Sequence, residues 1–139
     1  RRRRADAVEA IADPPQEQRV APRAHQAEAV NAIVSHFATG AERCTVVMPG
    51  GSGKTLTGMW AMEALAARKK TFNVVVFAPY VVLVNQTIHT YQQHTSLPWR
   101  FFIVASDLAS GPSAPVSTAV KDIRAFLEDE GPKVLVSTY

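Results

Sequence analysis

The chain has 139 residues, of which 47% are hydrophobic and 19% are charged, so it is long enough for one globular domain and too apolar to be disordered. The formal net charge of +3 depends on the run Arg1–Arg4, because the other 11 basic residues nearly balance the 12 acidic ones. Net charge therefore does not identify a nucleic-acid partner. The single cysteine, Cys44, excludes an internal disulfide, and no apolar run is long enough to span a membrane. We expect a cytoplasmic protein with no membrane partner.

The first 19 residues differ in composition from the rest of the chain. They contain the arginine run and Pro14-Pro15, and we expect a linker or a disordered basic tail with at most one short helix over Ala5–Ala12. The chain begins with Arg rather than Met, and its last residues fall within an expected strand. We therefore expect a fragment of a longer protein, in which residues 20–139 form one partial domain.

From residue 24 onward, helical and strand patterns alternate. Apolar residues between Ala27 and Phe37 fall on one helical face and predict an amphipathic helix over about 24–38, which Thr39-Gly40 ends. This alternation, with continuous apolar strands, predicts an α/β fold: a three-layer sandwich with a mostly parallel sheet. The elements predicted after the first helix are a strand at 44–48, a helix over about 54–69, a strand at 72–78, a helix over about 81–94, a strand at 101–105, a helix over 120–127 and a strand at 134–137.

The side chains of the predicted strands are expected to form the core. Cys44 is predicted to be a small buried residue of the first strand. The aromatic residues of the later strands are predicted to pack in the core rather than to stack on nucleobases. These aromatic residues are Phe72, Phe77, Phe101 and Phe102.

The glycine-rich stretch Met48–Thr55 lies between a predicted strand and a predicted helix. Glycine lets successive backbone N–H groups converge on one point, and the helix N-terminus adds its free N–H groups and dipole, so the stretch predicts a phosphate-binding loop. Lys54 would contact the β- and γ-phosphates, and the Thr55 hydroxyl would be a ligand of Mg²⁺. The predicted nucleotide-binding residues of the loop are Pro49, Gly50, Gly51, Ser52, Gly53, Lys54 and Thr55.

The loop departs from the strict G-x-x-x-x-G-K-[ST] pattern, because Met48 occupies the first glycine position. In this form it resembles motif I of superfamily 2 helicases, which include the DEAD/DEAH-box and the type I and type III restriction-type motors. Other stretches follow in the order that these motors show. The chain is therefore similar to the N-terminal part of their first RecA-like domain, and the resemblance implies ATP and Mg²⁺ as cofactors.

Upstream of the loop, Pro22–Gln26 resembles the entry element "L-R-x-[YH]-Q" of these motors. The resemblance implies that Arg23 and Gln26 belong to the nucleotide site. The carboxamide of Gln26 would contact the edge of adenine, which offers both an acceptor and a donor.

Downstream, Ala78–Gln86 resembles motif Ia, which implies contact of Pro79, Tyr80 and Gln86 with a nucleic-acid backbone. Tyr80 stands where the family often has Arg or Lys. Lys133–Tyr139 resembles the "v-v-x-S-T-Y" strand end before motif II, where the Thr138 hydroxyl would meet a phosphate. The stretch Phe101–Asp107 is similar to a "V-x-S-D" strand end of the helicases tied to restriction and phage defence.

The family hydrolyses ATP with an Asp-Glu pair at the end of a further strand, motif II, and this pair is not found in the chain. Glu128-Asp129-Glu130 precedes a predicted strand instead of ending one, so we expect a solvated helix end. The chain therefore stops before motif II and also lacks the second motor domain. We expect the fragment alone to be inactive and the longer protein to be the enzyme, completed by the rest of the parent chain.

Three functions remain open from the sequence. The first is an ATP-dependent helicase or translocase, whose nucleic-acid partner is expected to be double-stranded DNA by analogy with the restriction-linked relatives. The second is a P-loop NTPase of another class, such as a small-molecule kinase. The third is a remnant that binds nucleotide or a partner without catalysis.

Overall fold

The computed structural model describes residues 19–67, 69, 71–106 and 114–139. The arginine run, the possible helix Ala5–Ala12 and Asp107 lie outside these residues. The described elements are, in chain order, α1 (Ala24–Ala38), α2 (Lys54–Ala66), β1 (Asn73–Ala78), α3 (Val81–His94), β2 (Arg100–Val104), α4 (Val120–Glu128) and β3 (Lys133–Thr138).

The three strands form one parallel sheet in the order β1-β3-β2. In this register Leu135 of β3 lies between Val75 of β1 and Phe102 of β2. The central strand is also the most buried, since its first four residues are all shielded from solvent. This confirms the prediction of an α/β fold with a parallel sheet.

Helices cover the sheet from two sides. On one face, α2 and α3 pack against all three strands in the larger core cluster, which includes Met59, Ile88, Ile103 and Val136. On the other face, Phe126 of α4 packs against β2 and β3. Burial of these apolar side chains is the main favourable contribution to the fold, at about 25 cal/mol per Å². The two helical layers give the three-layer arrangement that the sequence predicts.

The predicted strand at 44–48 was wrong. These residues pair with no strand in the described part of the chain, and Val47 is 91% exposed. Cys44, predicted to be buried, is exposed as well. An apolar β-branched run becomes a buried strand only where a neighbour completes its hydrogen bonds, and none of the described strands lies beside it.

Phe77 also differs from its prediction as a core residue, because its side chain is 60% exposed. Side chains alternate between the two faces of a strand, and those of Val74, Val76 and Ala78 join the larger cluster. Phe77 and Val75 therefore point to the opposite face, which α4 covers only over β2 and β3. The prediction of a sheet covered on both faces holds for the central strand and fails for β1.

The ends of two helices refine the predictions. The second helix ends at Ala66 rather than near 69, and its C-cap residue Ala67 donates its N–H to the Glu63 carbonyl. At the end of α4, Asp129 is exposed and forms an ion pair with Arg100 at 2.7 Å, which agrees with the prediction of a solvated helix end before a strand. None of the helices in the described ranges is long and apolar enough to cross a membrane.

Candidate functional site

The loop before α2 has the backbone conformation that only glycine adopts readily. Gly51 and Gly53 have φ of +71° and +83°, in the left-handed region. Gly53 is the N-cap of α2, and its carbonyl accepts hydrogen bonds from the N–H and the hydroxyl of Thr57, at 3.0 and 3.1 Å. The N–H groups of the first helical turn have no partner within the helix, so they remain available to an anion at this end.

The ammonium of Lys54 lies over this loop. It donates to the carbonyls of Met48 at 3.0 Å and Pro49 at 2.8 Å, and the Ser52 hydroxyl donates to the same Pro49 carbonyl at 2.7 Å. The side chain is exposed. These hydrogen bonds are directed to neutral carbonyls, so a phosphate would offer the ammonium a stronger, charge-assisted acceptor.

The donor set fits a nucleotide phosphate with a metal ion. Gly50, Gly51 and Gly53 supply the tight loop, Lys54 supplies the charge, and the exposed Thr55 hydroxyl stands in the first turn of α2. Among the described residues, no group of three or more His, Cys, Asp and Glu could hold a metal ion. A Mg²⁺ ion here would depend on Thr55, on the phosphates themselves and on water.

Gln26 ties α1 to the loop. Its side chain is buried, its Nε2 donates to the Ser52 carbonyl at 3.0 Å, and its Oε1 accepts from the Arg23 N–H at 2.8 Å. His25 Nε2 lies 3.3 Å from the same Ser52 carbonyl. A Cβ on Gly53 would approach Gln26 Nε2 to 2.3 Å, so only glycine leaves room for this contact.

The carboxamide of Gln26 therefore holds the loop rather than pointing freely at a base. It still has a second N–H and a second lone pair for a ligand, and adenine contact stays a prediction. A small cavity of about 110 Å³ lies beside it. This cavity is lined by Val20, Arg23, Gln26, Gly51, Ser52, Gly53 and Leu56.

A larger cleft of about 660 Å³ lies between α2, α3 and the carboxyl end of β1. Lys54 and Thr55 line it together with Pro79 and Gln86, so the structure brings predicted nucleotide and nucleic-acid residues into one space. Such a position at the carboxyl ends of parallel strands is the usual ligand site of α/β folds. Tyr139 also lines the cleft and stacks on Phe77, with ring centroids 6.5 Å apart.

Two predicted nucleic-acid residues are not among those that line the cleft. Tyr80 is the N-cap of α3 and is 70% exposed. Thr138 is partly buried at the end of β3, where it pairs in register with Ala78 of β1. Both stand at the same end of the sheet as Pro79.

Sequence reasoning missed two polar groups, one in the cleft and one at the far ends of the helices that begin there. Tyr91 of α3 lines the cleft, and burial raises the pKa of its hydroxyl to about 12. Glu63 near the end of α2 accepts hydrogen bonds from Thr95 and Ser96. Helical spacing could have placed Tyr91 on the core face of α3, whereas no local pattern indicates the partners of Glu63, which lie 32 and 33 residues away.

Comparison with known proteins identifies the kind of domain. The family described as "Type III restriction enzyme, res subunit" matches residues 19–139. A nuclease-deletion mutant of the Type ISP restriction-modification enzyme LlaGI, in complex with a DNA substrate mimic, is 25% identical with a TM-score of 0.75. The ATP-dependent Type ISP restriction-modification enzyme LlaBIII, bound to DNA, is 27% identical with the same TM-score of 0.75. No protein with a curated description is significantly similar to the chain.

The matches cover most of this chain and little of the larger proteins. They include 86% and 88% of this chain, but 13% of the LlaGI chain and 9% of the LlaBIII chain. The matched fold is the helicase type of RecA-like domain, which confirms the predicted fold class and family resemblance.

Proposed function

Because the chain belongs to the family of the type III restriction enzyme res subunit, we propose that it is the ATP-binding front part of an ATP-dependent helicase or translocase that acts on DNA. One observation carries this proposal: Lys54 and Thr55 share a single cleft with Pro79 and Gln86. A nucleotide and a nucleic-acid strand bound there would lie close enough to affect each other. A P-loop NTPase of another class would need an acceptor pocket or switch loops in place of the contacts at Pro79 and Gln86.

In this proposal, the loop binds the phosphates of ATP. The first-turn N–H groups of α2 hold phosphate oxygens, and Lys54 leaves the carbonyls of Met48 and Pro49 to neutralise charge at the β- and γ-phosphates. The Thr55 hydroxyl would hold Mg²⁺, and the bound ion would supply further charge neutralisation. Arg23 and Gln26 position the adenine beside the small cavity.

The nucleic-acid contact lies at the start of α3 and the end of β3. Backbone N–H groups at a helix N-terminus can hold a phosphate without a basic side chain. The proposed contacts are Pro79, Tyr80, Gln86 and Thr138. DNA is favoured because the LlaGI and LlaBIII structures are described as DNA complexes.

The rest of the longer protein would complete the enzyme. It would supply the Asp-Glu pair that positions the attacking water and the second motor domain with its arginine finger, worth about 10³ to 10⁵ in rate. A strand of that part would pair the residues at 44–48, and a helix on the same face as α4 would cover the exposed side chains of Val75 and Phe77. The fragment alone would bind ATP weakly and hydrolyse almost none.

ATP hydrolysis by the longer protein, with and without duplex DNA, tests the proposal. We expect DNA to raise the rate, and Lys54→Ala to lower the stimulated rate by about 10² to 10³-fold, the effect of removing one electrostatic contact in a transition state. Lys121→Ala, on an exposed position of α4, is the matched control and should hydrolyse ATP as the wild type does. A wild-type rate that neither DNA nor RNA changes would contradict the motor function.

A further inference from the structure

Helices α2 and α3 both begin at the cleft, and hydrogen bonds connect their C-terminal ends. The N-terminal residues Lys54 of α2 and Leu83 of α3 both line the cleft, so the two helices run side by side in the same direction. At their C-terminal ends, one carboxylate connects them. Glu63 of α2 accepts hydrogen bonds from Thr95 and Ser96, which directly follow α3.

The connection is well formed. Glu63 Oε1 accepts from the Thr95 hydroxyl at 2.5 Å and from the Ser96 N–H at 2.7 Å. Glu63 Oε2 accepts from the Ser96 hydroxyl at 3.0 Å. Three donors from the loop that leaves α3, one of them a backbone N–H, therefore fix both carboxylate oxygens.

Favourable interaction with the helix dipoles does not explain why the Glu63 carboxylate stands at this position. It stands in the last turn of α2 and beside the last turn of α3, and both of these helix ends carry partial negative charge. A negative side chain is unfavourable at such positions unless specific donors compensate it. The hydrogen bonds to Thr95 and Ser96 are that compensation, so the carboxylate serves the connection between the helices.

The two helices also meet in the middle. Met59 of α2 and Ile88 and Tyr91 of α3 belong to the same buried apolar cluster. Apolar packing at this point allows sliding, whereas the directional hydrogen bonds of Glu63 fix the offset of one helix along the other. Together the two contacts make α2 and α3 one unit that spans the cleft.

We propose that Glu63 is a positioning residue that transmits movement between the phosphate loop at the start of α2 and the nucleic-acid contact at the start of α3. This inference rests on the proposed function for its biological meaning. It adds a link, remote from both ligands, that determines how strongly DNA stimulates ATP hydrolysis. With the link removed, each end of the cleft still binds its ligand, but a shift of α2 no longer moves α3 by the same amount.

The experiment measures ATP hydrolysis by the longer protein with and without duplex DNA. We expect Glu63→Ala to lower the ratio of stimulated to basal rate about three- to tenfold, the range for residues that modulate coupling, with a basal rate within about twofold of wild type. Glu63→Gln keeps a carbonyl acceptor and should recover part of the ratio. The control is Asp122→Ala, which removes a carboxylate that accepts a 2.6 Å hydrogen bond from the Ser117 hydroxyl at the start of α4.

A merely structural role for Glu63 would lower thermal stability in both alanine variants and leave the ratio unchanged in both, and that result would overturn the inference. It would leave the proposed function intact, since wild type would still be stimulated. A wild-type rate indifferent to nucleic acid would instead reject the proposed function. In that case, amide hydrogen exchange tests the inference separately. Binding of a non-hydrolysable ATP analogue should slow amide exchange at residues 81–86 in wild type but not in Glu63→Ala. Equal slowing in both proteins would overturn the inference.

Discussion

The loop region, residues 41–53, and the sheet region, the three strands with α2, α3 and α4, are held in place by different forces. The sheet region has an apolar cluster on each face of the sheet, and the larger one contains fully buried side chains such as Val84 and Ile103. The loop region is mostly exposed, and hydrogen bonds hold it: Gln26 to the Ser52 carbonyl, and His36 to the Arg43 carbonyl at 2.9 Å. Segments with few buried apolar contacts open more easily than cores.

This difference suits a site in which one side must rearrange. In the proposed function, the ammonium of Lys54 exchanges its backbone carbonyl acceptors for phosphate, and a loop held by a few hydrogen bonds permits that exchange. The cleft wall formed by β1 and α3 belongs to the packed core, so it keeps its internal packing while the loop rearranges. Substitutions in the loop region should therefore impair nucleotide binding, and substitutions in the sheet region should impair stability.

The largest effect is expected at Gly53, where a substitution should impair both nucleotide binding and stability. Gly53→Ala strains a left-handed residue by about 1 to 2 kcal/mol and displaces Gln26, whose lost hydrogen bond adds about 1 kcal/mol. Gly40, with φ of +88° and nothing within 4 Å of an added Cβ, is the matched control because Gly40→Ala introduces strain alone. Denaturant unfolding of the chain should show a loss of up to about 3 kcal/mol for Gly53→Ala and a smaller loss for Gly40→Ala.

Nucleotide binding separates these two variants further. We expect Gly53→Ala to lose binding of a fluorescent ATP analogue by the longer protein, whereas Gly40→Ala retains it. Equal stability losses together with equal affinities would show that the close approach of Gln26 to Gly53 does not hold the loop.

In the sheet region, Tyr91 should make the free energy of unfolding depend on pH in the alkaline range. Burial raises the pKa of its hydroxyl from 10.0 to about 12 in the folded state. Between pH 10 and 12 the unfolded chain releases this proton while the folded chain keeps it, so stability falls as pH rises. Two pKa units correspond to at most about 3 kcal/mol.

Unfolding free energies measured across this pH range test the effect. Tyr91→Phe should lose that fall, whereas Tyr80→Phe, which removes an exposed hydroxyl, should retain it. If wild type and Tyr91→Phe change in parallel from pH 10 to 12, the buried hydroxyl is not the cause.

Lys133 tests a buried charge at the opposite end of the sheet from the cleft. Its side chain is 1% exposed, and its ammonium donates to the carbonyls of Asp129 and Gly131. Lys133→Met keeps the apolar stem but leaves these carbonyls without their donor, at a cost of about 2 kcal/mol. Lys121→Met, on an exposed position, should change the unfolding free energy by less than about 0.5 kcal/mol, and a similar loss in both variants would contradict the role of the hydrogen bonds.

The sequence was sufficient wherever structure follows from local pattern. Helix α3 and the strands β1, β2 and β3 lie within one or two residues of their predicted limits, because apolar runs and helical spacing reflect burial directly. The tight turn of the glycine-rich loop before α2 was also predictable, since glycine readily adopts the left-handed backbone conformation. Its left-handed residues Gly51 and Gly53 confirm the tight turn.

Prediction failed where the outcome depends on a distant partner. The run at 44–48 and Phe77 have the composition of a core, but their burial requires a neighbouring element that no local pattern specifies. The same holds for Glu63, whose donors follow a different helix. In the candidate site, the Gln26 hydrogen bond to Ser52 could not be predicted, because it depends on how α1 packs beside the loop.

The smallest and most discriminating effect is expected for Gln26→Ala, which tests whether this residue serves the loop, the base or both. Loss of the bond to the Ser52 carbonyl should weaken ATP and GTP alike by about 1 kcal/mol, or roughly fivefold. Adenine contact would weaken ATP alone by a similar further factor. His25→Ala is the control. His25 lies 3.3 Å from the same carbonyl, so this substitution removes an anchor of the loop and leaves the Gln26 carboxamide in place. Binding titrations to the longer protein should show that Gln26→Ala loses more affinity for ATP than for GTP, whereas His25→Ala loses a small and equal amount for both nucleotides. If Gln26→Ala also weakens ATP and GTP equally, Gln26 is an anchor of the loop and does not contact adenine.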